Sequence, residues 1–178
     1  MSKRNNFVFI VLQIIAWLIF VGLSIEACGL LVNFVFSVFK PEFVGNLYQK
    51  LDLSKMYQQS RWVFFGMYGF LLFVSFLKAI LFYILIILQF KLNLSKPFSS
   101  YVADKIKIIA YYTFSIGIIS LIARQVAKSL LHSGYETEKL TQFWEDGTAF
   151  ILMSAVVYVI AQIFKRGVEL QNETDLTV

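Results

Sequence analysis

Residues 62–90 read WVFFGMYGFLLFVSFLKAILFYILIILQF, an apolar run without proline and with one charge, Lys78. A hydrocarbon core about 30 Å thick is crossed by about 20 apolar helical residues, each adding about 1.5 Å. This run exceeds that length. Water is the wrong solvent for such a helix, so the stretch predicts a membrane span.

Three further segments have the same character. Upstream, Phe7 to Phe39 has no proline and a single charge, Glu26. As one helix it would reach roughly 50 Å, so it must tilt, or its second half must leave the membrane and pack on protein. Pro41 stops it, because the residue before a proline is pushed out of the helical region. Downstream, an amphipathic stretch after Pro97 becomes fully apolar from Ile108 to Ala123, with Arg124 and Lys128 beyond. The fourth segment, Thr148 to Phe164, is closed by Lys165-Arg166-Gly167 and is, at about 17 residues, the shortest that crosses. The expected fold class is therefore an all-α integral membrane protein, a four-transmembrane-helix bundle. It forms one domain over 1–178, with helices at about 7–39, 62–90, 99–131 and 148–171. Loops 40–61 and 132–147 lie outside, and 172–178 form a cytoplasmic tail. The first run is too long for a signal peptide's apolar region and is read as an anchor.

Composition agrees. The 178 residues are 58% hydrophobic and 15% charged, against about 45–50% and 25% in soluble domains. A disordered chain, a nucleic-acid-binding domain and an ordinary cytosolic enzyme are excluded. One cysteine and one histidine exclude an internal disulfide, a haem held by two histidines and a structural zinc site. No Gly-rich phosphate loop, HExxH or GxSxG occurs. No catalytic, cofactor-binding or metal-binding residue is assigned, and the protein is expected not to be an enzyme. The acidic loop residues Glu136, Glu138, Glu145 and Asp146, with His132, lack ligand spacing and read as a solvated loop.

With the N-terminus inside, eight cations lie on the inner side (Lys3, Arg4, Lys91, Lys96, Lys105, Lys107, Lys165, Arg166). Seven lie outside: Lys40, Lys50, Lys55, Arg61, Arg124, Lys128 and Lys139. The margin is narrow, but Lys3-Arg4 and Lys165-Arg166 sit close to span boundaries, which places both termini in the cytoplasm. In the first outer loop Phe43, Leu47 and Leu51 recur at helical spacing and predict a short interfacial helix. Trp17, Trp62 and Trp144 are expected in the interfacial belt. Gly66 and Gly69, and Ser115, Gly117 and Ser120, are expected to let helices approach closely.

Glu26 and Lys78 are the acid and base inside the apolar runs. A charge near the bilayer centre costs about 2.5–3.5 kcal/mol, and such residues usually face protein or water. In an antiparallel hairpin Glu26 lies about 28 Å, and Lys78 about 18 Å, from the inner ends of their runs. That gap of about 10 Å opposes a direct pair. The two serve either an ion path or local packing, with Glu26 near the outer interface and Lys78 snorkelling.

The inner face carries two motifs. Pro97-Phe98-Ser99 precedes the third span, where Pro97 suits a turn and Ser99 or Ser100 caps the helix. Phe164, Gly167, Leu170, Glu173, Asp175, Leu176, Thr177 and Val178 form an F-x-x-G-x-x-L helix ending in D-L-T-V. Together with the four spans, these elements resemble a bacterial membrane family catalogued as domain of unknown function 2975. The resemblance implies a protein of the bacterial cytoplasmic (inner) membrane with no assigned activity. It also implies pairing with a small helix-turn-helix regulator, which makes Pro97, Phe98 and the tail a docking element. The residues themselves leave two readings of the tail: an apolar hook ending in a carboxylate, or a segment folded back on the Pro97–Phe98 turn. In the second, Phe98 meets Leu176, and Lys96, Lys105 or Lys107 lies near Glu173 and Asp175. The expected partners are the lipid bilayer, a cytoplasmic regulator and further copies of the chain, with no direct nucleic-acid binding. The competing function is an oligomeric small transporter or channel subunit using Lys78 and Glu26.

Overall fold

The computed structural model describes residues 3–45, 47–48, 51–93 and 97–175. All their regular structure is helical: α1 (Lys3–Phe39), α2 (Ser54–Gln59), α3 (Arg61–Lys91), α4 (Ser100–His132) and α5 (Gly147–Asp175). Short 3-10 turns occupy Pro41–Gly45 and Glu138–Phe143. The long helices α1, α3, α4 and α5 are each apolar enough to cross a membrane, with mean hydropathies of 2.7, 2.7, 1.8 and 2.0 in their most apolar windows. This is an all-α, multi-pass membrane protein.

The helix starts follow from local chemistry. The Ser60 hydroxyl accepts the Val63 amide at α3, and the Ser99 hydroxyl accepts the Val102 amide at α4. Each satisfies one of the first-turn amides that have no partner within the helix. Where α4 ends, Gly134 has φ +85°, a left-handed conformation that glycine adopts without a Cβ penalty, and the chain reverses there.

The long helices pack in chain order, α1 on α3, α3 on α4 and α4 on α5. α4 and α5 approach closely. A Cβ on Gly117 would lie 2.6 Å from Ile151 Cγ1 and 2.9 Å from the Ile151 backbone nitrogen, and one on Gly147 would lie 2.9 Å from Ser120 Cβ. Small residues here admit backbone-to-backbone contact. Gly66 and Gly69 do not serve that purpose, since a Cβ on either meets nothing within 4 Å. The mid-membrane core joins Val74, Leu81 and Ile84 of α3 to Ile109 and Ile116 of α4, with Phe150 and Val157 of α5 packed against them.

α1 lies outside this three-helix core, antiparallel on α3. Phe20 meets Tyr83, Glu26 meets Ser75, the Leu30 carbonyl accepts from the Tyr68 hydroxyl, and Phe34 meets Phe65. Only 6% of its most apolar window is buried, an arrangement suited to hydrocarbon as solvent rather than water. The far end of α1 instead runs into a compact cap. There Leu30 joins Val44, Leu47, Leu51, Leu53 and Met56 of the first connection, Leu140 and Trp144 of the second, and Phe64, Tyr68 and Ala123 of the spans.

Two expectations are corrected in this cap. The interfacial helix expected from Phe43, Leu47 and Leu51 is replaced, among the described residues, by the 3-10 turn Pro41–Gly45 and by backbone bonds across the loop: the Leu47 amide donates to the Leu51 carbonyl and the Leu53 amide to the Val44 carbonyl, and the helix α2 comes later. Those leucines are buried between the two connections, where protein rather than the membrane surface covers their apolar area. Trp144 is likewise no belt residue, being 1% exposed within the cap, whereas Trp62 is 89% exposed.

Candidate docking site at the tail end

The end of the molecule opposite the cap is built by the last turns of α3 and α5, the 97–99 connection and the first turns of α4. Phe98, 40% exposed, sets its ring against Phe164 with centroids 5.3 Å apart. Gly167 lies one turn beyond Phe164, and a Cβ there would sit 2.5 Å from Phe98 Cδ1. Gly167 is therefore the seat for the Phe98 ring. Beneath the pair, Val102, Ile106 and Ala161 form a small core that Leu88, Leu92 and Tyr101 also touch. This lock fixes the 97–99 connection to α5.

Beside it runs a groove of about 290 Å³. Ser100, Ala103 and Asp104 of α4 line one wall and Lys165, Val168, Glu169 and Asn172 of α5 the other. The Arg166 guanidinium donates to Glu169 at 2.8 Å. Both side chains are exposed, so the pair is worth about 0–1 kcal/mol and does little more than orient Glu169. The groove thus presents both charge signs and hydrogen-bonding groups on an apolar floor.

The docking residues expected from sequence are distributed as follows. Pro97 and Phe164 are half-buried, Leu170 is 50% exposed and Glu173 is exposed on α5. Asp175 is the last residue of α5. Leu176, Thr177 and Val178, and with them the expected Phe98–Leu176 contact, lie outside the described residues. Lys105 and Lys107 turn to aromatic faces four residues away on their own helix, Nζ lying 5.6 Å from the Tyr101 centroid and 5.7 Å from that of Tyr111. A ring at that spacing is already in reach of a lysine on a helix. The polar groove was missed because its signal is split: Ser100 and Asp104 share one helix face, Lys165, Glu169 and Asn172 another, and only packing brings the two together.

Glu26 and Lys78 are compensated separately. The Ser75 hydroxyl donates to Glu26 Oε1 at 3.4 Å, a long and weak contact. Lys78 Nζ lies 5.6 Å from the Phe150 centroid on α5. Since Glu26 is level with Ser75, the offset to Lys78 is three residues, about 4.5 Å and not the expected 10 Å. Among the described residues no three His, Cys, Asp or Glu side chains gather to hold a metal ion.

A family model described as "Protein of unknown function (DUF2975)" matches residues 47–178. The chain belongs to this family. The match takes in the Phe98 connection, the groove walls and α5, and it leaves α1 outside, the helix that also stands outside the three-helix core. No curated protein and no solved structure matches the chain.

Proposed function

We propose that this DUF2975 member is a non-enzymatic protein of the bacterial cytoplasmic membrane, with both termini in the cytoplasm, whose tail end docks a small helix-turn-helix regulator. The observation that supports this reading is the course of α5. The helix continues past the Phe98–Phe164–Gly167 lock to Asp175, and so presents the exposed Leu170 and the Asp104–Lys165–Glu169 groove beyond the apolar core. Holding a connection rigidly against α5 leaves a preorganised surface, which lowers the ordering cost of binding. An exposed leucine beside mixed charges offers an apolar anchor with a polar rim. The chain itself makes no contact with nucleic acid in this scheme; DNA is left to the regulator.

The test is a pull-down from detergent extract with the tagged full-length protein as bait, the recovered proteins being searched for a small helix-turn-helix regulator. Leu170→Glu and a form lacking 173–178 are expected to lower regulator recovery at least tenfold, while Leu152→Ala on the lipid face leaves it unchanged. Equal recovery with all forms rejects the tail end as the dock.

A further inference from the structure

We propose that Lys91, Tyr101 and Lys105 form a headgroup site for an anionic phospholipid, independent of the docking surface. The first observation is convergence. Lys91 Nζ, from the end of α3, lies 4.9 Å from the Tyr101 centroid, and Lys105 Nζ, from α4, lies 5.6 Å from the same centroid. Two ammonium groups from different helices are drawn to one ring by its negative face. The ring is fixed, because Tyr101 packs with Leu88 and Leu92 against Val102, Ile106 and Ala161.

The second observation is charge. The ion pairs Lys55–Glu136 and Arg166–Glu169 involve neither Lys91 nor Lys105. Asp104, next to Lys105 in sequence, lines the groove shared with Lys165 and Glu169 instead. Their distances to the shared centroid place the two ammonium groups at most about 10.5 Å apart, so one anion at the Tyr101 rim is attracted by both charges.

The third is position. Lys91 directly follows the apolar run of α3, and Lys105 precedes by about one turn the apolar run of α4 that opens at Ile108. Both cations therefore stand at the edge of the hydrocarbon, where lipid phosphates lie, with the exposed Phe90 alongside on the hydrocarbon side. Basic pockets between spans at this depth suit anionic headgroups. A phosphate covalently joined to acyl chains gains the apolar contact as well, which favours a lipid over free phosphate.

The experiment is native mass spectrometry of the full-length protein in detergent, titrated with phosphatidylglycerol, phosphatidylcholine or inorganic phosphate. Wild type is expected to retain one phosphatidylglycerol. Lys91→Gln and Lys105→Gln should each weaken it about fivefold, the gain expected per lysine at an anionic surface. Lys107→Gln, whose ammonium sits over a different ring, should leave binding unchanged. Phosphatidylcholine is expected to bind more weakly in wild type and to be insensitive to the lysine variants. Equal phosphatidylglycerol binding by wild type and both single variants overturns the site. So does an equal loss with Lys107→Gln, which would indicate only a basic surface, or displacement of the lipid by equimolar inorganic phosphate.

Discussion

At Gly117 the missing side chain decides how closely two helices lie. Because the atoms a Cβ would meet include the backbone nitrogen of Ile151 and the Gly147 carbonyl oxygen, no rotamer change makes room. Gly117→Ala is expected to destabilise the protein by about 1–3 kcal/mol, the range for overpacking, read as a lower unfolding temperature in detergent. Gly66→Ala meets open space and should be neutral or stabilising by up to about 1 kcal/mol through helix propensity. The same sign for both would refute the distinction. Gln89 poses the opposite problem: its Oε1 is buried with no hydrogen-bond partner. An unmet buried acceptor costs about 1–3 kcal/mol, so Gln89→Leu should raise the unfolding temperature, and a fall would show that the amide is satisfied after all. Neither effect was legible in sequence. Gly66 and Gly117 look alike in a string of letters, and only the neighbouring helix separates a spacer from a bystander.

Among the elements, the cap is where folding energy and solvent meet. Leu140 is fully buried between the two connections, and Leu140→Ala should cost about 2–5 kcal/mol. Its polar rim responds to pH. Asp52 accepts the Ser54 amide at 3.0 Å and the Ser54 hydroxyl at 2.7 Å, which holds its carboxyl below the usual 3.8. That stabilisation is complete above the ordinary carboxyl value and is lost as pH falls through the depressed one. The hydrogen bond from Lys55 to Glu136 holds the lysine above 10.5, so its contribution is complete below that value and is lost as pH rises through the raised one. The cap's unfolding temperature, followed by Trp144 fluorescence with Trp17 and Trp62 replaced by Phe, should be flat from about pH 5 to 9. It should fall at both extremes by less than Leu140→Ala lowers it. Asp52→Asn should shrink the acid loss; an undiminished loss would assign it to another group. Sequence spacing located the apolar residues of this loop but not its α-helix α2, because Leu47 and Leu51 are buried against a second loop distant in the chain.

For the whole molecule, four crossings put the two ends of the chain on one side and the cap on the other. Single cysteines at Asn172 and at Ser133, in a background with Cys28 replaced by Ala, should react with an impermeant thiol reagent from opposite faces of sealed vesicles. With the cytoplasmic termini proposed here, Ser133→Cys is labelled in intact cells and Asn172→Cys only after lysis. Labelling of both from one face would remove at least one span. Inverted labelling would keep the fold and move the Leu170 surface outside, where a cytoplasmic regulator has no access. Because α1 packs among the spans chiefly on α3, mutations in its lipid-facing half, such as Leu18→Ala, should leave the α3–α5 core unperturbed.

What residues 62–90 and their three counterparts determine unaided is the solvent. A run of apolar side chains on every face is stable only in hydrocarbon, so number, length and class of the spans follow from composition and helix rise. Helix starts at Ser60 and Ser99 are equally local, since a cap depends on residues within one turn. Neighbour relations are different. In a membrane every face of every span is apolar, so hydrophobicity carries no information about which face meets which helix. That Phe98 rests on Gly167, that Lys91 and Lys105 share Tyr101, and that Lys78 turns to Phe150 while Glu26 turns to Ser75 were decided by packing between residues distant in the chain.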